Sequence, residues 1–431
     1  MAKKKINIVT LGCSKNLVDS ENLGTQLIAN NYSIVNNGEV KDARVVIVNT
    51  CGFINDAKEE SINLIMQFAY AKEKKLIDKL FVIGCLSERY KNLLNKDIKE
   101  VDSFFGVNNL EDIVKSLEGD YKKELINERI ISTPPHYAFL KISEGCSRKC
   151  SFCAIPLIRG PYKSVPIETL QQQAENLAKK SVKELILIAQ DSSFYGYDLY
   201  KKYKLPELLE NLAKIKQFEW IRLHYAYPEN FPNDVIKVMK DNPNICKYLD
   251  IPFQHISDNI LKLMRRGHDS KKIYELIEFF RKEIPDIALR TTLILGHPGE
   301  TESDFNLLKK FVEEVKFERL GVFTYSNEDN TYGADNYKDN IPAKVKKQRA
   351  DEIMEIQQHV SFEVNQKKVH NTYKVIIDKE EDEFFVGRTE FDTPEVDNEV
   401  LISKDKKLKI GEFYNVKINY ADEFEIFGEI V

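Results

Sequence analysis

The 431-residue sequence has few of the features that mark membrane, secreted or nucleic-acid-binding proteins. No apolar stretch approaches the roughly 18 residues that a membrane-spanning helix needs. The start, Met-Ala-Lys-Lys-Lys, precedes only a strand-length apolar run, so no signal peptide is expected. Lys and Arg number 63 against 68 Asp and Glu, a net charge of −5, which does not suit a nucleic-acid-binding polycation. We therefore expect a cytoplasmic protein without membrane association, in which disulfides are rare.

Cysteine is scarce, at seven residues, but three of the cysteines are clustered. Cys146, Cys150 and Cys153 are spaced C-x3-C-x2-C, directly after a short apolar run. A loop of this size can turn three thiolates toward one centre, and thiolates suit iron–sulfur clusters or zinc. Structural zinc takes four ligands, usually as two spaced pairs, and no partner pair lies nearby. The alternative is a set of buried or reactive thiols that bind no metal.

This loop resembles the signature of the radical S-adenosylmethionine (SAM) enzymes. The resemblance implies that Cys146, Cys150 and Cys153 hold a [4Fe-4S] cluster whose fourth iron is open to chelate SAM. It also implies that one electron from the cluster cleaves SAM to a 5′-deoxyadenosyl radical, which abstracts hydrogen from an unactivated C–H bond. In such enzymes the protein positions the reactants and excludes side reactions.

Residues 1–118 alternate apolar strand-like runs with helix-like stretches, which predicts a parallel α/β sheet. Cys13, Cys51 and Cys85 each follow a predicted strand and adjoin a glycine. Because ligands gather outside the carboxyl ends of parallel strands, the three loops are predicted to converge on a second cluster. The alternative is three unrelated core or reactive thiols.

The stretches Leu11–Glu21 and Val48–Phe53 resemble the N-terminal domain of the methylthiotransferases. In that family three such cysteines hold a second [4Fe-4S] cluster, which carries the sulfur to be transferred. The resemblance thus implies two [4Fe-4S] clusters and SAM as the cofactors of this chain.

Residues 119–135 are predicted to be a linker, and residues 136–365 contain six strand–helix units. Six units are too few for a closed eight-stranded barrel, so an open, partial (β/α)6 radical SAM barrel is expected. Such a fold places its chemistry in the loops that follow the strands. The candidates for binding SAM are Phe152, which could pack on adenine, together with Gln190, Asp191, Gly296 and Gly299. Helix capping or packing is the alternative role for Asp191.

The stretches Gln190–Gly196 and Leu223–Pro228 resemble the branch of the methylthiotransferases that modifies a ribosomal protein. This implies β-methylthiolation of an aspartate in the twelfth protein of the small ribosomal subunit. It also implies an electron donor of the flavodoxin or ferredoxin type, and a monomer needs no further assumption. The alternatives are methylthiolation of an adenosine derivative in transfer RNA and a non-catalytic iron–sulfur module.

Residues 366–431 contain five short β-like runs, which predict a small β-barrel. Its position resembles that of the TRAM domain at the end of the methylthiotransferases, a module often used on RNA. Residues 367–431 carry ten Lys and Arg against sixteen Asp and Glu, a net charge of −6. Since RNA binding depends on cations that neutralise phosphates, this barrel is predicted to attract a basic ribosomal protein. A merely solvated acidic surface is the alternative.

Overall fold

The computed structural model describes residues 4–431 and begins with a five-stranded parallel sheet in the order β2-β1-β3-β4-β5. Three of its strands, β1, β3 and β4, are the apolar runs that the sequence predicts. The strands are β1 (Lys5–Thr10), β2 (Ser33–Asn36), β3 (Val45–Thr50), β4 (Lys79–Gly84) and β5 (Ser103–Phe104). The two outer strands were not expected, because both are short and neither forms a long apolar run.

Four helices cover the two faces of this sheet, as the alternation of strands and helices requires. They are α1 (Ser14–Ala29), α2 (Asn55–Glu73), α3 (Cys85–Asp97) and α4 (Leu110–Ser116). Helix α3 was not predicted. It begins at Cys85 itself, directly after Gly84, and its interior is broken at Tyr90, where the backbone is not helical.

The central sheet has six parallel strands in the order β13-β12-β11-β10-β9-β6 and is open between its two outer strands. The expected partial (β/α)6 barrel is thereby confirmed. Its strands are β6 (Tyr137–Lys141), β9 (Glu184–Ile188), β10 (Trp220–Leu223), β11 (Ile245–Asp250), β12 (Ala288–Leu295) and β13 (Arg319–Thr324). A small antiparallel pair, β7 (Ser143–Glu144) and β8 (Lys163–Ser164), closes the base of the cysteine loop.

The helices of the central segment are α5 (Ile155–Arg159), α6 (Ile167–Ala178), α7 (Tyr197–Tyr200), α8 (Leu205–Ala213), α9 (Asp234–Asp241), α10 (Asp258–Leu263), α11 (Ser270–Glu283), α12 (Glu302–Val315), α13 (Tyr332–Asn336) and α14 (Ala343–Gln366). Most of them pack on the outside of this sheet and bury the largest hydrophobic core of the described residues, whereas α5 packs against the start of α3. Within residues 4–431, no helix combines the length and the hydropathy needed to cross a bilayer.

The last segment forms a closed five-stranded barrel in the order β14-β15-β16-β18-β17, which confirms the predicted small β-barrel. Its strands are β14 (Thr372–Glu380), β15 (Phe384–Thr389), β16 (Glu399–Ser403), β17 (Phe413–Ala421) and β18 (Glu425–Ile430). Closure pairs β14 with β17 and leaves no open sheet edge.

The C-terminal barrel docks on the central sheet through buried charges. Glu184, which is fully buried on β9, lies 2.7 Å from Arg222 on β10 and 2.5 Å from Arg388 of the C-terminal barrel. Trp220 meets Phe413 edge to face, with 4.8 Å between the ring centroids. The central sheet thus supplies a buried carboxylate that an arginine of the C-terminal barrel neutralises.

Candidate functional site

The first group of cysteines lies in the loop between β7 and α5, at the carboxyl end of β6. Cys146 is buried, and Cys150 and Cys153 are half-buried. Gly145 has φ +72°, and a Cβ there would lie 2.3 Å from the carbonyl oxygen of Pro161, so only glycine fits the base of the loop. The backbone N–H of Cys146 donates to the carbonyl of Gly160 at 3.1 Å, which fixes the loop as a tight unit.

Hydrogen-bond donors surround these sulfur atoms. Arg266 Nη1 donates to Cys150 Sγ at 3.3 Å, and the backbone N–H of Arg148 donates to Cys146 Sγ at 3.4 Å. The hydroxyl of Tyr227 lies 3.5 Å from Cys150 Sγ. Its ring is sandwiched between the guanidinium groups of Arg148 and Arg266, at 4.0 and 4.2 Å from the centroid. Donors and cations aimed at sulfur favour thiolate, the form that binds iron.

Burial has the opposite effect on the same thiols. It raises the pKa of Cys146 to about 12, because a thiolate out of water is costly unless positive charge lies beside it. Iron supplies that charge. The three soft donors and the hydrogen bonds to their sulfur atoms therefore fit a [4Fe-4S] cluster held by Cys146, Cys150 and Cys153.

The second group, Cys13, Cys51 and Cys85, lies at the carboxyl ends of β1, β3 and β4, as the sequence predicts. The three loops touch one another. A Cβ on Gly12 would lie 3.0 Å from Cys51 Sγ, and a Cβ on Gly52 would lie 2.6 Å from the backbone of Leu86. Glycine beside each cysteine thus permits close approach of neighbouring loops.

Asn16, on the first turn of α1, connects these three loops. Its side-chain amide donates to the carbonyls of Leu11 at 2.8 Å and Thr50 at 3.0 Å. Its Oδ1 accepts from Cys85 Sγ at 3.6 Å. One buried side chain therefore contacts the loop of every cysteine in the group, and burial raises the pKa of Cys85 to about 12.

The surroundings of the two cysteine groups are in contact across the boundary between the N-terminal sheet and the central barrel. Arg159, the last residue of α5, donates from Nη2 to Asn16 Oδ1 at 2.6 Å. Its Nη1 lies 3.1 Å from Asp19 and 2.9 Å from Glu144. Cys85 also packs against Ala154, which follows Cys153, and against Ile158 of α5. Sequence reasoning missed Asn16 and Arg159, although both flank cysteine motifs.

Neither group has the spacing of a site for one metal ion. Within residues 4–431, no three His, Cys, Asp or Glu side chains come close enough to hold a single ion. A four-iron cluster binds each thiolate at a different iron, so its ligands stand farther apart. The geometry therefore argues against a single zinc ion at either group and is compatible with a cluster.

The residues predicted to contact SAM lie near the first cysteine group. Phe152 is half-buried between Cys150 and Cys153. Gln190 has a buried Oε1 without a hydrogen-bond partner among the described residues, so this atom is free for a ligand that donates, such as an amine or hydroxyl. Asp191 instead holds Arg148, with 2.7 Å between Oδ2 and Nε, and accepts from Ser193 at 2.6 Å.

Gly296 and Gly299 lie in the loop after β12, with φ of +75° and +90°. The N–H of Gly296 donates to Glu300 at 2.8 Å, and a Cβ on Gly296 would collide with the side chain of Lys346. These contacts account for glycine at position 296 by packing. A direct contact of either glycine with SAM stays a prediction.

Lys15 is a further residue of this region that sequence reasoning did not single out. It is buried on α1, two positions after Cys13, and its Nζ lies 3.3 Å from the ring centroid of Tyr225, which follows β10. Burial lowers the pKa of Lys15 to about 8. The sequence does not indicate that Lys15 is buried, because a lysine near the start of a helix is normally solvated.

Comparison with known families divides the chain in the same way as the fold. The model of the radical SAM superfamily matches residues 140–312. The model described as uncharacterized protein family UPF0004 matches residues 5–106, and that of the TRAM domain matches residues 369–431. Radical SAM proteins use SAM and a [4Fe-4S] cluster, which agrees with the donor set of the first cysteine group.

Similar proteins extend over the whole chain. A protein of Christiangramia forsetii, named ribosomal protein uS12 methylthiotransferase RimO, is 55% identical over 430 residues, which is 100% of this chain and 95% of that protein. A protein of Bacteroides fragilis with the same name is 54% identical over 432 residues and matches 100% of both chains. Among solved structures, the radical SAM methyltransferase TsrM of Kitasatospora setae has a TM-score of 0.55 at 12% identity, over 77% of this chain and 74% of that one, and shows the fold alone.

Proposed function

Because the chain belongs to the RimO family of ribosomal protein uS12 methylthiotransferases, we propose that it inserts a methylthio group at the β-carbon of an aspartate in uS12, the twelfth protein of the small ribosomal subunit. When bound, the cofactors supply one-electron cleavage of SAM, hydrogen abstraction from carbon, a sulfur atom and a methyl group. The chain holds these groups, orients the substrate between them and keeps water away.

The proposal depends chiefly on the juxtaposition of the two cysteine groups. Arg159 follows the loop of Cys146, Cys150 and Cys153, and it hydrogen-bonds Asn16, which contacts all three loops of the other group. A substrate carbon between the groups would therefore be within reach of hydrogen abstraction on one side and sulfur delivery on the other. We assign the second [4Fe-4S] cluster to Cys13, Cys51 and Cys85 on this ground.

Each predicted segment has its own role in the proposed reaction. Residues 1–118 would deliver sulfur, and residues 136–365 would bind and cleave SAM, with Phe152 and Gln190 as its closest contacts. The segment 119–135 connects them, and residues 366–431 would bind uS12. Asp191 would act on SAM indirectly, by holding Arg148 beside the cysteine loop.

Docking of uS12 through the C-terminal barrel is supported by charge. Four of its sixteen acidic side chains contact basic side chains of the central segment and are not available to a partner. These four are Asp378 with His136, Asp392 with Arg319, Asp397 with Arg290 and Glu412 with Lys183. The run Glu380–Glu383 is exposed and acidic: Glu380 and Glu381 pair with lysines of the barrel itself, and Asp382 and Glu383 form no ion pair among the described residues. A basic ribosomal protein would be attracted to this run, whereas an RNA backbone would be repelled.

The proposed enzyme acts as a monomer, which is supported by the presence of both cysteine groups in one chain. SAM cleavage consumes an electron, for which we propose a reductant protein of the flavodoxin or ferredoxin type. The substrate is a ribosomal protein, so the proposed compartment is the cytoplasm.

The deciding experiment incubates the anaerobically reconstituted protein with SAM, a reductant and either uS12 or transfer RNA. We expect mass spectrometry to show that a methylthio group replaces one hydrogen on a uS12 peptide. A mass gain on a nucleoside instead would move the chain to the transfer-RNA-modifying function. If the iron-loaded protein does not cleave SAM, the remaining interpretation is a non-catalytic iron–sulfur module.

Iron analysis tests the two-cluster assignment separately. Two four-iron clusters predict about eight irons per chain. Cys51→Ala and Cys146→Ala should each remove about half of that iron, and the double variant should remove nearly all of it. Cys246→Ala, which changes a buried cysteine outside both groups, is the matched control and should retain the full amount.

A further inference from the structure

Lys15 is placed where the N-terminal sheet and the central barrel meet. The residue is only 7% exposed, and its ammonium nitrogen lies 3.3 Å from the ring centroid of Tyr225. Tyr225 has φ +59°, a left-handed conformation that bulky residues rarely adopt. Its carbonyl accepts the N–H of Ser192 at 2.9 Å, which helps to hold this strained backbone. The positive charge of Lys15, from the N-terminal domain, is therefore held against the ring of Tyr225, from the central barrel.

The ammonium of Lys15 has no carboxylate partner of its own among residues 4–431, where no ion pair within 4.0 Å includes it. The nearby carboxylates are engaged elsewhere. Asp19 pairs with Lys141 and Arg159, Glu144 pairs with the same two cations, and Asp250 lies 3.6 Å from Arg290. An aromatic face compensates only part of the lost hydration of a buried cation. None of these carboxylates therefore neutralises the ammonium of Lys15 directly, which leaves it able to bind an incoming carboxylate.

We propose that Lys15 binds the side-chain carboxylate of the substrate aspartate. This inference rests on the proposed function and adds the group that recognises the substrate side chain. The β-carbon of aspartate is bonded directly to its carboxylate carbon, so binding of the carboxylate fixes the position of the reacting carbon. Lys15 lies two residues from Cys13 and touches the barrel through Tyr225, so this binding would hold the carbon in the gap between the two cysteine groups.

The same geometry makes Lys15 a determinant of specificity. An adenine base carries no carboxylate and so does not offer this ammonium the partner that aspartate does. An asparagine side chain has nearly the shape of aspartate but no charge, and would lose a charge-assisted hydrogen bond. Removing one partner of such a bond reduces affinity roughly ten- to hundredfold.

The test compares two uS12 peptides that differ only in having Asp or Asn at the modified position. Fluorescence anisotropy measures the affinity of each labelled peptide for the cluster-loaded protein, and mass spectrometry measures kcat/KM for methylthiolation. We expect the wild-type protein to prefer the Asp peptide at least about tenfold in both measurements. Lys15→Gln should reduce this preference to near one, whereas Lys15→Arg should retain most of it. Lys5→Gln, at an exposed position, is the control and should keep the wild-type preference.

Three results would overturn the inference. The first is equal affinity of the wild-type protein for the two peptides. This measurement uses no variant, so it does not depend on whether a variant folds. The second is an undiminished preference in Lys15→Gln. The third is loss of about half of the iron from Lys15→Gln, which would make Lys15 a counter-charge for the N-terminal cluster. If the wild-type protein modifies neither peptide, the proposed function itself fails, and this outcome is distinct from the other three.

Discussion

Glu184→Gln should destabilise the protein strongly and loosen the C-terminal barrel from the central sheet. The Glu184 carboxylate is completely buried and is the common partner of Arg222 at 2.7 Å and Arg388 at 2.5 Å. Glutamine has the same shape but no charge, so two buried guanidinium groups lose their shared anion. Breaking a buried ion pair on one side costs about 3–5 kcal/mol.

The lower end of that range applies here, because each arginine keeps a second partner. Arg388 still pairs with Asp378 at 2.8 Å, and Arg222 still donates to the carbonyl of Glu390 at 2.7 Å. We therefore expect a loss of about 3 kcal/mol in the free energy of unfolding. The matched control is Glu219→Gln, which breaks the pair between Glu219 and Lys374 across the same domain boundary. Both partners are about 40% exposed, so this loss should stay below about 1 kcal/mol.

Urea denaturation measures both losses, and the only tryptophan is well placed to report them. Trp220 lies on the same strand as Arg222 and contacts Phe413 of the C-terminal barrel, so its fluorescence follows the separation of the two domains. Far-UV circular dichroism reports unfolding of the whole chain. If Glu184→Gln is no more destabilising than Glu219→Gln, the reasoning from buried charge is wrong.

The pH dependence gives an independent check. Burial alone would raise the pKa of Glu184, but Arg388 and Arg222 outweigh it and hold the pKa below its usual value. A lowered pKa means that the stabilisation is complete above the unfolded value of about 4.3 and is lost as pH falls through the folded value. The difference between wild type and Glu184→Gln should therefore be constant at neutral pH and shrink below about pH 4.

Further predictions concern the two cysteine groups. Gly84→Ala and Gly160→Ala both place alanine at a positive φ, but a Cβ at Gly84 meets Asn49 Oδ1 at 2.3 Å, whereas that at Gly160 meets open space. Gly84→Ala should therefore cost about 1–3 kcal/mol more in urea denaturation and should lower the iron content more; equal losses would contradict this. Arg266→Lys removes a directed donor to Cys150 Sγ and should lower the reduction potential of the first cluster by tens of millivolts in an EPR-monitored titration. An unchanged potential would show that Arg266 has only a packing role.

Local patterns in the sequence predicted much of the fold. The six strands of the central barrel and the five strands of the C-terminal barrel are apolar or alternating runs, and the structure has all of them. Buried strands are easy to predict from the sequence, because their side chains must be apolar whichever element packs against them. The structure differs at β2, β5 and α3, two short outer strands and a helix broken at Tyr90, where the local signal is weak. The short elements β7, β8, α5, α7 and α13 of the central segment were not predicted either.

The candidate site was predictable only where its residues share a short motif. The spacing of Cys146, Cys150 and Cys153 indicates a common centre by itself, since eight residues cannot separate them far. Cys13, Cys51 and Cys85 could be grouped because the carboxyl ends of parallel strands meet at one edge. Asn16 and Arg159 could not be paired, because they are 143 positions apart and belong to different domains.

The sequence by itself determined most of the strands, a grouping of the cysteines by position and the chemistry that their sulfur atoms favour. These properties depend on residue type and local periodicity, which act over a few positions. Only the tertiary structure decided that Arg159 meets Asn16, that Glu184 joins two arginines and that Lys15 is buried over Tyr225, with no carboxylate paired to it among the described residues. Charged side chains are normally solvated, so the sequence does not indicate which of them are buried. Their burial follows from the packing of two domains, which removes the water around them.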